Sequence, residues 1–187
     1  MSSQLVAPFP YFGGKRKVVD IVWERLGCNV TNYVEPFFGS GAMLLGRRGG
    51  AGHVETVNDI NSFVSNFWRA VSADPVGVAK SADWPVNETD LQARHYWLVT
   101  EGAKKISTLM GDPLGFDAEV AGWWLWGACA WIGGGWCSGE GPWVLDDEGE
   151  FVNRKLPHVG DAGMGINRNL PHVGNAGMGI NRQMPHV

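Results

Sequence analysis

An α/β fold built on a parallel, doubly wound sheet is predicted by three observations. Short apolar stretches alternate with stretches of helical apolar spacing between residues 18 and 71; a Gly-Ser-Gly turn joins the first of those strands to a helix; and the second strand runs into Asn58-Asp59 at its carboxyl end. Val18, Val19, Ile21, Val22 and Leu26 recur at helical spacing behind Gly13-Gly14-Lys15, with Gly27 as the stop. Tyr33-Val34-Glu35-Pro36-Phe37-Phe38 reads as a buried strand, Gly39-Ser40-Gly41 as a tight loop, and Ala42-Met43-Leu44-Leu45 as the opening of a helix. Val54 to Val57 is the second strand. Ile60, Val64, Phe67, Trp68 and Val71 then lie on one face of the next helix. Residues 74–85 read as a loop. Leu91 to Met110 carries a further helical pattern, and Val120 to Ile132 is a buried helix that breaks into Gly133-Gly134-Gly135 among six tryptophans.

The composition limits the function. The chain has 187 residues, 44% hydrophobic and 18% charged, which fits one globular domain, or a domain with an appendage, and not disorder or a coiled coil. Charge is +3 over residues 1–48, −10 over 49–150 and +3 over 151–187, so a uniformly cationic nucleic-acid coat is excluded while two basic ends remain. Cys28, Cys129 and Cys137 are an odd set without CxxC spacing, which supports neither a disulfide framework nor a zinc ribbon and points to a reducing cytoplasm. The N-terminus does not look like a signal peptide. Val120 to Ile132 falls short of the roughly 20 residues that cross a bilayer.

The tail repeats itself. Leu156-Pro157-His158-Val159-Gly160 returns at Leu170 and, with Met184, a third time, and the unit carries Ala-Gly-Met-Gly-Ile-Asn-Arg at 162–168 and 176–182. Two copies and a stub are too short for a solenoid, and a chain stopping in mid-repeat reads as an interrupted sequence. The histidines of the repeat fit no compact metal spacing, and no metal is expected. The expected organisation is an α/β part over 1–85, a helical, Trp-rich segment over 86–150 leading to a Gly-rich loop, and the repeat tail over 151–187.

Gly39-Ser40-Gly41 is the strongest local signal for chemistry. Glycines between a strand and a helix let a ligand approach the backbone, while a helix N-terminus supplies donors. Leu44 stands where a dinucleotide fingerprint has its third glycine, so the pyrophosphate motif is incomplete and a plain tight turn remains the other reading. Asp59 lies where a ribose-gripping carboxylate belongs, or else Asn58-Asp59 caps the helix that follows.

Pro8-Phe9-Pro10-Tyr11-Phe12-Gly13-Gly14-Lys15, Val34-Glu35-Pro36-Phe37-Phe38-Gly39-Ser40-Gly41-Ala42 and Asn58-Asp59-Ile60-Asn61, in this order, resemble the adenine-specific DNA methyltransferases of the Dam-type group. The resemblance covers residues 8–72, with weaker similarity over 123–139. It implies a Rossmann-like methyltransferase fold, here incomplete, with a helical insertion, and transfer of a methyl group from S-adenosylmethionine to the exocyclic amine of adenine in double-stranded DNA. It also implies a bacterial or phage-encoded cytoplasmic enzyme of the kind found in restriction-modification. Tyr11 and Lys15 would line the cofactor and target-base region, Glu35, Phe37, Phe38, Gly39, Ser40 and Gly41 would form the cofactor loop, and Asp59 and Ile60 would complete it, with Asp59 on the ribose. S-adenosylmethionine has no pyrophosphate, so Leu44 is then no obstacle. Lys15 has the other reading of a solvated charge in Lys15-Arg16-Lys17.

The group's Asp-Pro-Pro-Tyr motif, which binds and orients the amine of a flipped adenine, is absent from these residues, and no Pro-Pro pair occurs. No catalytic residue is therefore assigned, and activity is expected to need a C-terminal segment or second chain carrying that motif. The sheet is expected to show an unpaired edge and exposed apolar surface. Trp136 in the glycine loop and Arg154, Arg168 and Arg182 in the repeats are candidate DNA contacts, against the reading of a flexible insertion with solvated charges. A non-catalytic DNA-binding or regulatory remnant is the alternative from another class. A nicotinamide-dependent oxidoreductase is disfavoured by Leu44 and by the aromatic-Gly-Gly-Lys motif.

Overall fold

The structure, a computed structural model, describes residues 5–11, 13–27, 29–47, 54–131, 136–138, 143–146, 148 and 150–153. The chain divides into two compact units, 1–138 and 139–187. Arg154, Arg168 and Arg182, with the repeats, lie outside the described residues.

In the first unit a 3-10 turn over Lys15–Val18 leads into α1 (Val19–Leu26), closed by Gly27 in a left-handed conformation at φ 77°. β1 (Asn32–Glu35) is shorter than the strand expected up to Phe38. Pro36 has no N–H to donate to a ladder, and the chain turns away there. A single helical turn, α2 (Ala42–Leu45), follows the glycine loop. β2 (Val54–Val57) pairs in parallel with β1, Asn32 opposite Val54 and Glu35 opposite Val57.

The sheet is therefore mixed with helix as an α/β fold requires, but among the described residues it is one parallel pair. Its inner face sends Tyr33 and Glu35 inward, and Tyr33 joins Ala7, Val19, Trp23, Ala42 and Met43 in a small core. Val34 on the other face is 60% exposed, and Val54 and Val57 are exposed too.

The remainder of the unit is helical. α3 (Ser62–Ala73) is capped by Asn61, whose side chain accepts from the Phe63 N–H at 3.0 Å. Asn58-Asp59 is thus not the cap. Ile60, placed by its spacing on the helix's apolar face, lies outside the helix and is 93% exposed. Residues 75–82, read as loop, form α4 (Pro75–Ala82): Asp74 caps it by accepting from the Gly77 N–H, and Pro75 sits in its first turn, where a missing N–H costs nothing.

α5 (Glu88–Trp97) passes through a π turn over Leu98–Gly102 into α6 (Ala103–Thr108). α7 (Ala118–Ala130), capped by Asp117, is apolar nearly all round and runs through the middle of the helices. A side chain at Gly122 would collide with Ser81 Cβ at 2.4 Å, so glycine sets the close approach of α7 to α4. Phe9, Phe63, Val64, Phe67, Val78, Leu98, Val120 and Trp124 belong to the resulting core. Its centre is a triangle of rings, Phe9 to Phe67 at 5.1 Å and Phe9 to Trp124 at 5.0 Å, both edge to face.

The second unit contributes a hairpin, β3 (Trp143–Leu145) antiparallel to β4 (Phe151–Asn153). Asp146 organises its turn by accepting from the N–H groups of Glu148 and Glu150 at 3.0 and 2.8 Å. Among the described residues no helix is long and apolar enough to cross a membrane, and no group of three His, Cys, Asp or Glu side chains is placed to hold a metal.

Candidate cofactor site

The site gathers three loops at the carboxyl ends of β1 and β2. The first is a turn in which Gly14 N–H donates to Tyr11 O at 2.8 Å, and Gly13 takes φ 73°, a value that favours glycine. The second is the glycine loop. Gly39 and Gly41 have φ 52° and 66°, and a Cβ would meet the Tyr11 ring at 2.7 Å from Gly39 and the Trp68 ring at 2.9 Å from Gly41. Glycine is required at both by conformation and by space. The third is Asn58-Asp59-Ile60-Asn61, tied to the second by Phe38 N–H to Asn58 O at 2.8 Å.

Asp59 is the pivot. One carboxylate oxygen accepts from Gly39 N–H at 2.7 Å and the other from Asn61 N–H at 2.9 Å. Each oxygen has a further lone-pair site, so the group is fixed in orientation and still able to accept from a ligand. The Gly41 N–H is likewise used, donating to Phe38 O at 3.0 Å. The loop thus spends two of its glycine donors internally, which suits a ligand without a pyrophosphate. The expected support from a helix N-terminus is reduced, because α2 is one turn long and carries little aligned dipole.

A cavity of about 190 Å3 lies among these loops. Tyr11, Lys15, Phe37, Phe38, Gly39, Ser40, Asp59 and Ile60, all expected from sequence, line it, together with Gly13, Gly14 and Ala42. Phe37 is 75% exposed, so two bulky apolar groups, Phe37 and Ile60, stand in solvent at this cavity. Burial, and after it the negative charge of Asp59, push the Tyr11 phenol above its ordinary value, with a hydrogen bond to Asn61 acting in the opposite direction. Tyr11 is therefore a neutral donor at physiological pH.

Glu35 and Gly41 are not in that lining. Gly41 serves the loop from behind, against Trp68 and Phe38. Glu35 is 4% exposed and points into the small core, where Tyr33 Oη donates to it at 2.7 Å and Lys15 Nζ lies 2.8 Å from its other oxygen. Lys15 also donates to Phe37 O. The lysine is thus neither a solvated charge nor a free one: it ties the first loop to the base of the second, and Glu35 anchors it.

Trp68 was assigned to the apolar face of α3 by its spacing, yet its Nε1–H donates to Gly39 O at 2.9 Å and its ring packs on Phe38 at 5.0 Å. No local signal gave this, because the two residues are 29 positions apart; an indole N–H is a donor only and takes the carbonyl that the fold brings to it. Trp136, a candidate DNA contact, packs inward. Its ring stacks on His95 at 4.7 Å, its Nε1–H donates to Trp124 O at 3.1 Å, and it occupies the space that a Cβ on Gly127 would need.

A second cavity, of about 520 Å3, shares Phe38 and Asp59 with the first and continues between α3 and residues 113–116. Ser65, Trp68, Arg69 and Ser72 of α3 form one wall, and Pro113, Leu114 and Phe116 another.

The fold and this site define an α/β protein whose glycine loop and strand-end carboxylate sit side by side at the carboxyl end of a parallel pair. The model of the D12 class N6 adenine-specific DNA methyltransferase family matches residues 11–105, just over half of the chain, and the protein belongs to that family. The family acts on DNA. No curated protein and no solved structure matches the chain.

Proposed function

We propose that the site binds S-adenosylmethionine on a Rossmann-like half of an adenine N6 methyltransferase, and that the residues which activate the target amine come from outside this sequence. The observation that carries the reading is the Asp59 carboxylate, oriented by the Gly39 and Asn61 N–H groups and open to the cavity, as a grip for ribose hydroxyls. When bound, the cofactor supplies a methyl group on a sulfonium. The chain's own residues then bind and orient: Phe37 and Ile60 lose exposed apolar surface to the ligand, Tyr11 offers a phenol donor, and Lys15, held by Glu35, fixes the first loop. The Dam-type resemblance supports this reading, as does the incomplete dinucleotide fingerprint.

The three-part organisation into residues 1–85, 86–150 and 151–187 belongs to the same proposal, with DNA contacts from Arg154, Arg168 and Arg182. Trp136 has a smaller part in it, because its ring is engaged with His95. The absence of an Asp-Pro-Pro-Tyr-like motif favours a second reading, a DNA-binding or regulatory remnant without turnover.

Calorimetric titration of the chain with S-adenosylmethionine tests the first reading. Saturable binding is expected, weakened at least about tenfold in Asp59→Ala, the loss of roughly one charge-assisted hydrogen bond. A folded chain that fails to bind, or that binds a reduced nicotinamide cofactor instead, rejects it. Methyl transfer to adenine-containing duplex DNA by the chain alone would overturn the remnant reading and the need for an outside motif together.

A further inference from the structure

We propose that Trp68 is a positioning residue: by holding the Gly39 carbonyl it turns the peptide between Gly39 and Ser40 so that the Ser40 N–H faces the bound ligand as a donor. The inference rests on the reading that S-adenosylmethionine is that ligand, and it assigns the orientation of one peptide of the site to a side chain fixed by the helical core.

Gly39 is held at both of its backbone groups. Its N–H donates to Asp59 at 2.7 Å, and its carbonyl accepts from Trp68 Nε1–H at 2.9 Å. A trans peptide is planar, with its C=O and its N–H pointing in opposite directions. With the Gly39 carbonyl directed at the indole, the Ser40 N–H is directed away from it. The indole belongs to the wall of the larger cavity, and Ser40 lines the smaller one.

The donor placed there is unused. Ser40 is 5% exposed, and among the described residues its N–H has no hydrogen-bond partner, while the N–H groups on either side, of Gly39 and Gly41, donate to Asp59 and to Phe38 O. Buried backbone N–H groups without a partner are rare, and a ligand is one way to satisfy them. Ser40 precedes Gly41, the cap of α2, so the donor belongs to the loop and not to the helix. An N–H binds an anionic acceptor more strongly than a neutral one, and the anionic group of S-adenosylmethionine is the carboxylate at its amino-acid end.

The loop alone does not fix this orientation. Gly39 takes φ 52°, and a glycine leaves rotation of the peptide that follows it sterically open. The opposite orientation would turn the carbonyl toward the smaller cavity, beside the Asp59 carboxylate, where it would repel an anion. The indole decides between the two, and its own place is set by the helices. Its ring packs edge to face on Phe67 at 5.1 Å, and Phe67 packs on Phe9 in the helical core. The same ring lies against Phe38 at 5.0 Å and fills the space that a Cβ on Gly41 would need.

The test compares S-adenosylhomocysteine with 5′-methylthioadenosine, which has the same nucleoside and no amino-acid end, by calorimetric titration of the full chain. The wild type is expected to prefer S-adenosylhomocysteine by at least about tenfold. Trp68→Phe keeps a ring and loses the N–H, and it is expected to lower that preference about fivefold. Packing lost around the nucleoside weakens both compounds alike and leaves the ratio as it was. Amide hydrogen exchange followed by NMR adds a readout on the wild type that depends on no variant folding: S-adenosylhomocysteine should slow exchange at Ser40 at least about tenfold more than methylthioadenosine does. A folded Trp68→Phe that keeps the full preference, or a Ser40 N–H protected equally by both compounds, overturns the inference and leaves the cofactor reading standing. A wild type that binds the two compounds equally does the same. If the folded wild type binds neither compound nor S-adenosylmethionine, the cofactor reading fails and the inference falls with it.

Discussion

The α/β layer at residues 5–57 and the helical module at 62–130 solve the burial problem to different degrees. In the helical module Phe67, Leu98, Val120 and Trp124 are buried among α3, α4, the π turn and α7, and Asn66 binds the backbone of Asp117 through both its amide groups at 2.9 and 2.8 Å. In the α/β layer the strand pair covers one face only, and Val18, Ile21, Leu26, Val34, Val54 and Val57 all face solvent. A two-stranded sheet is marginal by itself, so the strands here lean on α1 and on Lys15–Glu35 rather than on sheet neighbours. The lesson is that the helical module is the more completely buried of the two, and the layer that carries the glycine loop and Asp59 is the thinner one.

Three measurements bear on that contrast. The largest effect belongs to Trp124→Ala, which empties the centre of the Phe9–Phe67–Trp124 triangle and is expected to cost about 3–5 kcal/mol in denaturant unfolding. A loss below about 1 kcal/mol would mean that the helical core is not the source of stability.

Next is pH. Burial holds the His95 imidazole down at about 4 from its ordinary 6.5, and the residue is 1% exposed. Below about pH 6.5 the unfolded chain takes up a proton that the folded chain refuses until about pH 4, so stability falls as pH drops through that window, by about 3 kcal/mol in full. His95→Gln should show a flatter profile between pH 7 and pH 4.5. Parallel profiles for the two proteins would remove His95 as the cause.

The smallest effect is expected at the exposed face of the sheet. Val34→Thr should change stability by less than about 0.5 kcal/mol, because the side chain has little burial to lose. A loss comparable to that of a core residue would show that this face is covered in solution.

Much of this was legible in the chain. The helix behind Gly13-Gly14-Lys15, the Val54–Val57 strand and the three motifs around Tyr11, Gly39 and Asp59 are local patterns, and local patterns survive folding; of the residues whose spacing marks α1, though, Val19 is buried while Val18, Ile21 and Leu26 face solvent. α4 falls inside residues 74–85, which read as a loop, and what marks it is Asp74-Pro75, since aspartate followed by proline is a helix cap and first-turn residue. Ile60 was misplaced because an apolar residue just before a cap shares the periodicity of the helix it precedes. The Lys15–Glu35 pair, the Trp68–Gly39 bond and the bonds from Arg69 to the carbonyls of Leu109, Asp112 and Gly115 join residues 20 to 46 positions apart, and no short window of sequence contains both partners. The size of the second cavity was beyond reach for the same reason. Its two walls meet only in the folded chain.

Phe9 stands immediately before the Tyr11 turn, and the ring it packs on, Trp124, is translated roughly 115 residues later. At about 5–20 residues per second the ribosome adds that stretch in roughly 6 to 23 seconds. During that interval Phe9 has Phe67 to pack on but not Trp124, and the ring triangle stays open on one side. Only when α7 has left the exit tunnel can that triangle close behind the Tyr11 turn. The part of the pocket that is encoded first thus receives its last packing partner from the far end of the same unit.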